Sequence, residues 1–196
     1  MDPLLIEVPE RIETPRLIVR CARPGDGPVL NAAVCDSLES LRPSMPWAQV
    51  APTLDQSEAE CRRQHAQYRL RENLTLFIFE RGVDGEEGLF VGGSGLHRID
   101  WTVPRFEIGY WCRVGFEGRG LITEAVVAVS RMAFDGLNAR RVEIRMSGDN
   151  ERSRRVAERA GFTFEGLLRR DSLTPQGEAR DTRVYARVRG IEELLD

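Results

Sequence analysis

The chemistry of this chain concentrates in one run, Tyr110-Trp111-Cys112-Arg113-Val114-Gly115-Phe116-Glu117-Gly118-Arg119-Gly120-Leu121-Ile122-Thr123-Glu124-Ala125. Three glycines separate an aromatic, strand-like stretch from an apolar stretch of helical period. Glycine tolerates backbone conformations that turn successive N–H groups toward one point, and a helix start adds partial positive charge there. Such a bend holds an anionic phosphate without a lysine. Arg119 adds a charged contact in this reading, and the Thr123 hydroxyl falls in the first helical turn. A second reading stays open, in which the glycines only permit a tight strand–helix junction. The run is not a nucleotide P-loop, because Gly-Lys-Ser/Thr is missing, and its glycine spacing is the reverse of the dinucleotide fingerprint. Gly92-Gly93-Ser94-Gly95 makes no Gly-x-Ser-x-Gly elbow, so a serine hydrolase fits poorly.

Elsewhere the reactive residues are sparse. Cys21, Cys35, Cys61 and Cys112 are too widely spaced for a Cys-x-x-Cys redox or zinc pair. With His65 and His97 as the two histidines, no metal site is expected. The 196 residues carry 28 basic and 31 acidic side chains, a net charge of −3, with no single-sign run. That balance argues against a nucleic-acid partner. No apolar stretch approaches the length of a membrane span, and the N-terminus lacks a basic-then-apolar signal, so no membrane partner is expected and a cytoplasmic location is.

The elements that must position the glycine bend follow from pattern. One domain is expected over residues 1–196, with 1–12 as a leader. Residues 16–20 read as a β-branched strand after Thr14-Pro15. Pro24, Gly25 and Asp26 turn the chain into a short helix running to about Cys35. Thr53 and Gln56 form a capping box that opens a helix near 54–72. A hairpin takes 74–80 and 89–96 around a turn at 82–88 carrying Asp84-Gly85. A strand at 105–113 enters the bend at 115–120, and a helix at 121–137 leaves it, its Ile122, Ala125, Val126, Val129 and Ala133 on one face. A strand at 141–146, a helix at 150–160 closed by Gly161, and strands at 162–168 and 182–189 complete an α+β layout with one mixed, mostly antiparallel sheet.

These motifs resemble the GNAT superfamily of acetyl-CoA-dependent N-acetyltransferases, and within it the ribosomal-protein N-terminal acetyltransferases (the RimJ/RimL-like group). The likeness rests on Glu13-Thr14-Pro15-Arg16-Leu17, Met45-Pro46-Trp47, Glu107-Ile108-Gly109-Tyr110-Trp111, Gly118-Arg119-Gly120, Thr123-Glu124-Ala125, Asn150-x-x-Ser153, Gly161-Phe162 and Glu165-Gly166, in register along nearly the whole chain. It implies a single GNAT-like domain with helices on both faces of the sheet and a splayed strand pair, here 105–113 and 141–146.

The resemblance further implies acetyl-CoA as cofactor, its diphosphate on Gly115, Phe116, Glu117, Gly118, Arg119, Gly120, Leu121 and Thr123. Its pantetheine arm would run beside the backbone of Trp111, Cys112 and Arg113, with an N–H near Trp111 or Cys112 polarising the thioester carbonyl. Asn150 would bond the pantetheine amides and Ser153 would sit near the sulfur. The acceptor is a primary amine, a protein N-terminus or a small molecule, and its attack is direct. Glu107 is the first candidate for the base; a solvent-facing or arginine-paired strand carboxylate is the competing reading. Ser153 is the candidate proton donor to the thiolate, against a serine that only bonds the helix backbone. The branch often carries a second carboxylate after Glu-Gly; here that position falls near Ser172, beside Asp171. Trp47, Trp101 and His97 are candidates for the acceptor pocket, Trp47 by its motif, while Trp101 and His97 read equally well as packing or turn residues. Cys112 is assigned no covalent role. Arg152, Arg154, Arg155 and Arg159 reach the adenosine phosphates or form a solvated face. All 28 basic residues are arginine, as in a GC-rich genome, or in an enzyme that keeps no amine of its own to acylate. Rival functions are an antibiotic or polyamine acetylase and a non-catalytic acyl-CoA-binding module; the branch's habit of pairing makes a homodimer an expectation.

Overall fold

The run Leu17-Ile18-Val19-Arg20-Cys21 is buried at every position, which places this strand inside a sheet covered on both faces. The structure, a computed structural model, describes residues 2–192. Its strands are β1 (Arg11–Glu13), β2 (Leu17–Cys21), β3 (Leu74–Arg81), β4 (Glu87–Asp100), β5 (Arg105–Cys112), β6 (Arg141–Ser147), β7 (Thr163–Leu173) and β8 (Ala179–Val188). The helices are α1 (Gly27–Leu41), α2 (Leu54–Arg69), α3 (Leu121–Arg131) and α4 (Glu151–Arg159). One sheet runs in the order β1-β2-β3-β4-β5-β6-β8-β7, antiparallel throughout except for β5 against β6.

Alternation along the strands sorts the core into two layers. Leu17, Val19, Phe106, Ile108, Val142 and Ile144 pack with α3 on one face. Ile18, Phe77, Phe79 and Phe90 pack with Leu30, Ala33, Val34 and Cys61 of α1 and α2 on the other. Phe106 and Ile108 are almost wholly enclosed, and burying each contributes on the order of 2 kcal/mol. That burial fixes the register of β5, so Glu107 between them must face the α1/α2 side.

Several local expectations are met. The Thr53 side chain accepts from the Gln56 N–H while Gln56 reaches back to the cap, and Gly161 holds φ 76° after α4. Others are revised. The leader is partly structured: Asp2 caps one 3-10 turn at Pro3–Leu5, and Arg11, Ile12 and Glu13 pair with the edge of β2. Helix α1 opens at Gly27 directly after the expected turn but ends later than expected, because the buried stripe continues through Ser37 to Leu41. The helix expected over 121–137 stops at Arg131. A wide turn, Met132–Gly136, follows, in which the Leu137 N–H bonds Met132 O at 3.1 Å. In this turn Phe134 lies beneath the Arg187 and Arg189 guanidinium groups.

The feature that creates a site is a parting of strands. β5 and β6 pair only at Arg105↔Arg141, Phe106↔Val142 and Glu107↔Glu143. Beyond Glu107, β5 stays with β4 as far as Cys112, and β6 stays with β8 as far as Ser147.

Candidate active site

The main chain on both banks of this gap can be assigned. The Arg113 N–H donates to Val91 O at 2.8 Å. Antiparallel alternation then turns Trp111 and Gly109 toward β4 as well and points the main-chain groups of Tyr110 and Cys112 into the gap. On the far bank, Gly148 N–H to Asp181 O (2.9 Å) sets the same alternation, so Arg145 and Ser147 face the opening. Of the two N–H groups expected near the thioester, Cys112 therefore faces the gap, while the Trp111 N–H is turned to β4.

A cleft of about 1190 Å³ runs through the gap, from the glycine bend to the α1/α2 side. Gly115, Gly118 and Gly120 hold φ of 87°, 73° and 76°, a region natural to glycine. A Cβ built on Gly118 meets nothing within 4 Å, so the backbone there lies open to a ligand. Phe116, Glu117, Gly118, Gly120, Leu121 and Thr123 line this half of the cleft. The Glu117 carboxylate accepts from the Gly115 N–H at 2.7 Å and lies 3.4 Å from Arg152 Nη2, so a side-chain anion engages the bend. Asn150 caps α4 by accepting from the Ser153 N–H at 3.0 Å, and both residues line the cleft. Arg155 and Arg159 line it too, whereas Arg154 is tied to Glu151 and Glu158.

Two arginines of the expected cofactor set turn elsewhere. Arg119 swings off the bend to Glu80 (2.5 Å) and lies over the Phe116 ring, while Arg113 pairs with Asp36 across the junction with α1. Neither they nor Gly115 belong to the cleft wall. Each arginine has a carboxylate within reach on its own side of the loop, which outcompetes an open face.

In the other half, Glu107 is mostly enclosed, its side chain 18% exposed. Oε2 lies 3.5 Å from Arg98 Nε and 4.0 Å from Arg145 Nε, and it accepts no hydrogen bond from the described residues. Burial pushes this carboxyl above its ordinary range, and the two arginines pull it partly back. Asp171 takes Arg145 at 2.6 Å, so the carboxylate beside Ser172 communicates with Glu107 through a guanidinium. Ser172 itself bonds Thr182 and Arg180. His97 stands directly across from Glu107 in the β4–β5 register. Its Nδ1 lies 2.5 Å from Asn73 Oδ1, an acceptor, so Nδ1 carries the proton and Nε2 is bare. Burial lowers its pKa and keeps the ring neutral.

Trp47, 54% exposed, stands edge-on to Trp111 at the cleft mouth, with centroids 5.9 Å apart. Trp101 is not on the wall. Its indole N–H donates to Arg71 O at 3.0 Å and its ring meets Phe106 edge-on, both toward the core. The Cys112 thiol is pushed up to about 11 by burial, which leaves it un-ionised and a poor nucleophile. Sequence reasoning overlooked Tyr110, whose phenol oxygen lies 2.7 Å from Ser153 Oγ. Its period-2 relation to Cys112 was the available signal. Among the described residues no three His, Cys, Asp or Glu side chains gather as a metal set, and no helix is long and apolar enough to cross a membrane.

Comparison with known proteins agrees with this geometry. The profile of the acetyltransferase (GNAT) domain matches residues 16–163. The chain is 41% identical over 106 residues to a Bacillus subtilis protein named "Putative ribosomal N-acetyltransferase YdaF", a match spanning 52% of this chain and only 57% of that protein. It is 27% identical over 162 residues to the ribosomal-protein-serine acetyltransferase of Escherichia coli, spanning 81% of this chain and 85% of that one. The solved structure of RimL, a ribosomal L7/L12 alpha-N-protein acetyltransferase in complex with coenzyme A, superposes with a TM-score of 0.83 at 23% identity. That likeness covers 91% of this chain and 98% of the other, and it bears on the fold. A matched profile across most of the chain, carried on one sheet that parts beside a glycine bend, makes this chain a member of the acetyltransferase (GNAT) domain family.

Proposed function

We propose that this acetyltransferase moves an acetyl group from acetyl-CoA to a protein N-terminal α-amine by direct attack on the thioester. The observation that carries the reading is the parting of β5 from β6 just past Glu107, which sets a half-buried carboxylate beside newly freed main-chain groups. The residues fit the donor: open backbone at Gly118 suits a diphosphate, and the free edge at Tyr110 and Cys112 suits the amides of a pantetheine arm. When bound, the donor supplies an activated acetyl group. The Cys112 N–H polarises the thioester carbonyl from a fixed position. Glu107 takes the proton of the α-ammonium, whose ordinary pKa is about 8. Burial brings the carboxyl nearer to that value and makes the transfer less uphill. Trp47 at the mouth offers an aromatic wall to the acceptor. The names of the relatives support a ribosomal-protein terminus as the acceptor class.

The test is a panel of N-terminal peptides and small amines, assayed with acetyl-CoA by release of free thiol. Transfer to peptide α-amines is the expected result. Transfer to small amines alone overturns the acceptor class, and donor binding without transfer to any amine makes the protein an acyl-CoA-binding module.

A further inference from the structure

Tyr110 and Cys112 leave β5 on the α3/α4 face, opposite to Glu107. The Tyr110 phenol oxygen reaches the first turn of α4, 2.7 Å from Ser153 Oγ and 3.1 Å from Ser153 O. That turn is held by the Asn150 cap, which accepts from the Ser153 N–H at 3.0 Å. Both side chains line the cleft beside the freed main chain. A donor pairing with that edge has the Glu107 carboxylate on one side of the sheet and these two hydroxyls on the other. The amine approaches from the carboxylate, so the sulfur leaves toward the hydroxyls.

Each hydroxyl has one proton, and Ser153 O only accepts. If the phenol donates to that carbonyl, the Ser153 proton fills the phenol oxygen and the cleft meets lone pairs. If it donates to Oγ, the shorter contact, the Ser153 proton is left for the cleft. An arriving anion selects the second arrangement. We propose that Tyr110 is a positioning residue: its phenol donates to Ser153 Oγ and thereby turns the Ser153 hydroxyl proton onto the departing thiolate. The inference rests on the acetyl-CoA reading above.

The pair supplies a hydrogen bond, not a proton. Burial pushes the phenol up to about 12, while a thiol ionises near 8.5, so full transfer to sulfur is uphill by more than about three pKa units. The step balances without it. The nitrogen sheds two protons, the first from the ammonium to Glu107 before attack and the second to solvent as the tetrahedral adduct collapses. The N–C bond forms, the C–S bond breaks with its electron pair on sulfur, and the coenzyme leaves as a thiolate bonded to Ser153.

The experiment titrates the thiol of coenzyme A bound to the parent, to Tyr110→Phe and to Ser153→Ala, by thiolate ultraviolet absorbance against ligand-free protein, alongside acetyl-transfer kinetics. Cys112, pushed to about 11, titrates outside the window. The parent is expected to hold the bound thiol below the pKa of free coenzyme A. Tyr110→Phe should raise it by about one unit and lower kcat about tenfold, the loss of one charge-assisted hydrogen bond, with the acetyl-CoA KM unchanged. Ser153→Ala should do the same, and the double variant should lose no more than either single one. A bound-thiol pKa in Tyr110→Phe equal to the parent's, or losses that multiply in the double variant, overturns the proposal. A parent that binds no coenzyme A overturns the donor reading itself, and the proposal with it.

Discussion

Replacing Glu107 by glutamine tests the proton-acceptor role at nearly constant shape. Positioned general bases are worth roughly 10²- to 10⁴-fold. The lower part of that range applies here, because His97 stays in the cleft wall with Nε2 bare and relieves part of the loss. Asp171 gives no such relief, being committed to Arg145. The expected loss in kcat/KM is therefore about 100-fold, with acetyl-CoA affinity within about twofold of the parent, since the glycine bend lies at the far end of the cleft. The pH profile adds a second readout. The base works deprotonated, so kcat/KM of the parent falls as pH drops through its folded pKa. Burial places that limb above the ordinary glutamate value of about 4.3. The limb should vanish in the variant. Stability moves the other way. A raised folded pKa means that the native state binds the proton more tightly than the unfolded chain, so stability declines as pH climbs from the unfolded to the folded value. A neutral glutamine avoids this cost, and the Tm at pH 8 should equal or exceed that of the parent. Transfer within fivefold of the parent, with the acidic limb intact, refutes the assignment of Glu107 as base.

Other substitutions probe the donor half and the frame. Gly118→Val, forced to φ 73° at a position that lines the cleft, should abolish acetyl-CoA binding in calorimetry. The left-handed conformation costs it about 1–2 kcal/mol of stability, visible in a denaturant melt; retained affinity would remove the phosphate-cradle argument. Glu117→Gln removes an anion from the bend while its amide oxygen still accepts from the Gly115 N–H, so acetyl-CoA should bind several-fold more tightly through the lost repulsion, and most clearly at low salt. Unchanged affinity across salt would show that the carboxylate does not compete with the diphosphate. Thr53→Ala removes the cap of α2 and should cost about 1 kcal/mol of stability with kcat untouched, read by chemical denaturation and steady-state kinetics.

What the sequence made legible was local chemistry. The Thr53–Gln56 box, the turn at Asp84-Gly85, the stop at Gly161 and the glycine bend are each decided within a few residues, and each appears in the structure. The parting of β5 and β6 was legible through the family likeness, since nothing local in 105–113 announces which neighbour it loses. Side-chain direction at the site was less accessible. Arg119 was aligned with the cradle, yet Glu80, 39 residues earlier, draws it away. Trp101 read equally as a pocket wall or a packing residue, and the Arg71 carbonyl and the Phe106 ring hold it toward the core. The end of α3 failed for a related reason: Phe134 turns beneath arginines from the far end of the chain. Partners distant in sequence set these outcomes, and periodicity carries no information about them.

The most direct measurement is a crystal structure of the protein soaked with coenzyme A. The diphosphate should lie within hydrogen-bond distance of main-chain N–H groups of 116–121, with the Glu117 carboxylate moved off Gly115 and the thiol reaching the parting of β5 and β6. A diphosphate bound elsewhere, with Glu117 still accepting from Gly115 and the gap closed to the ligand, would contradict the reading of this cleft as an acetyl-transfer site.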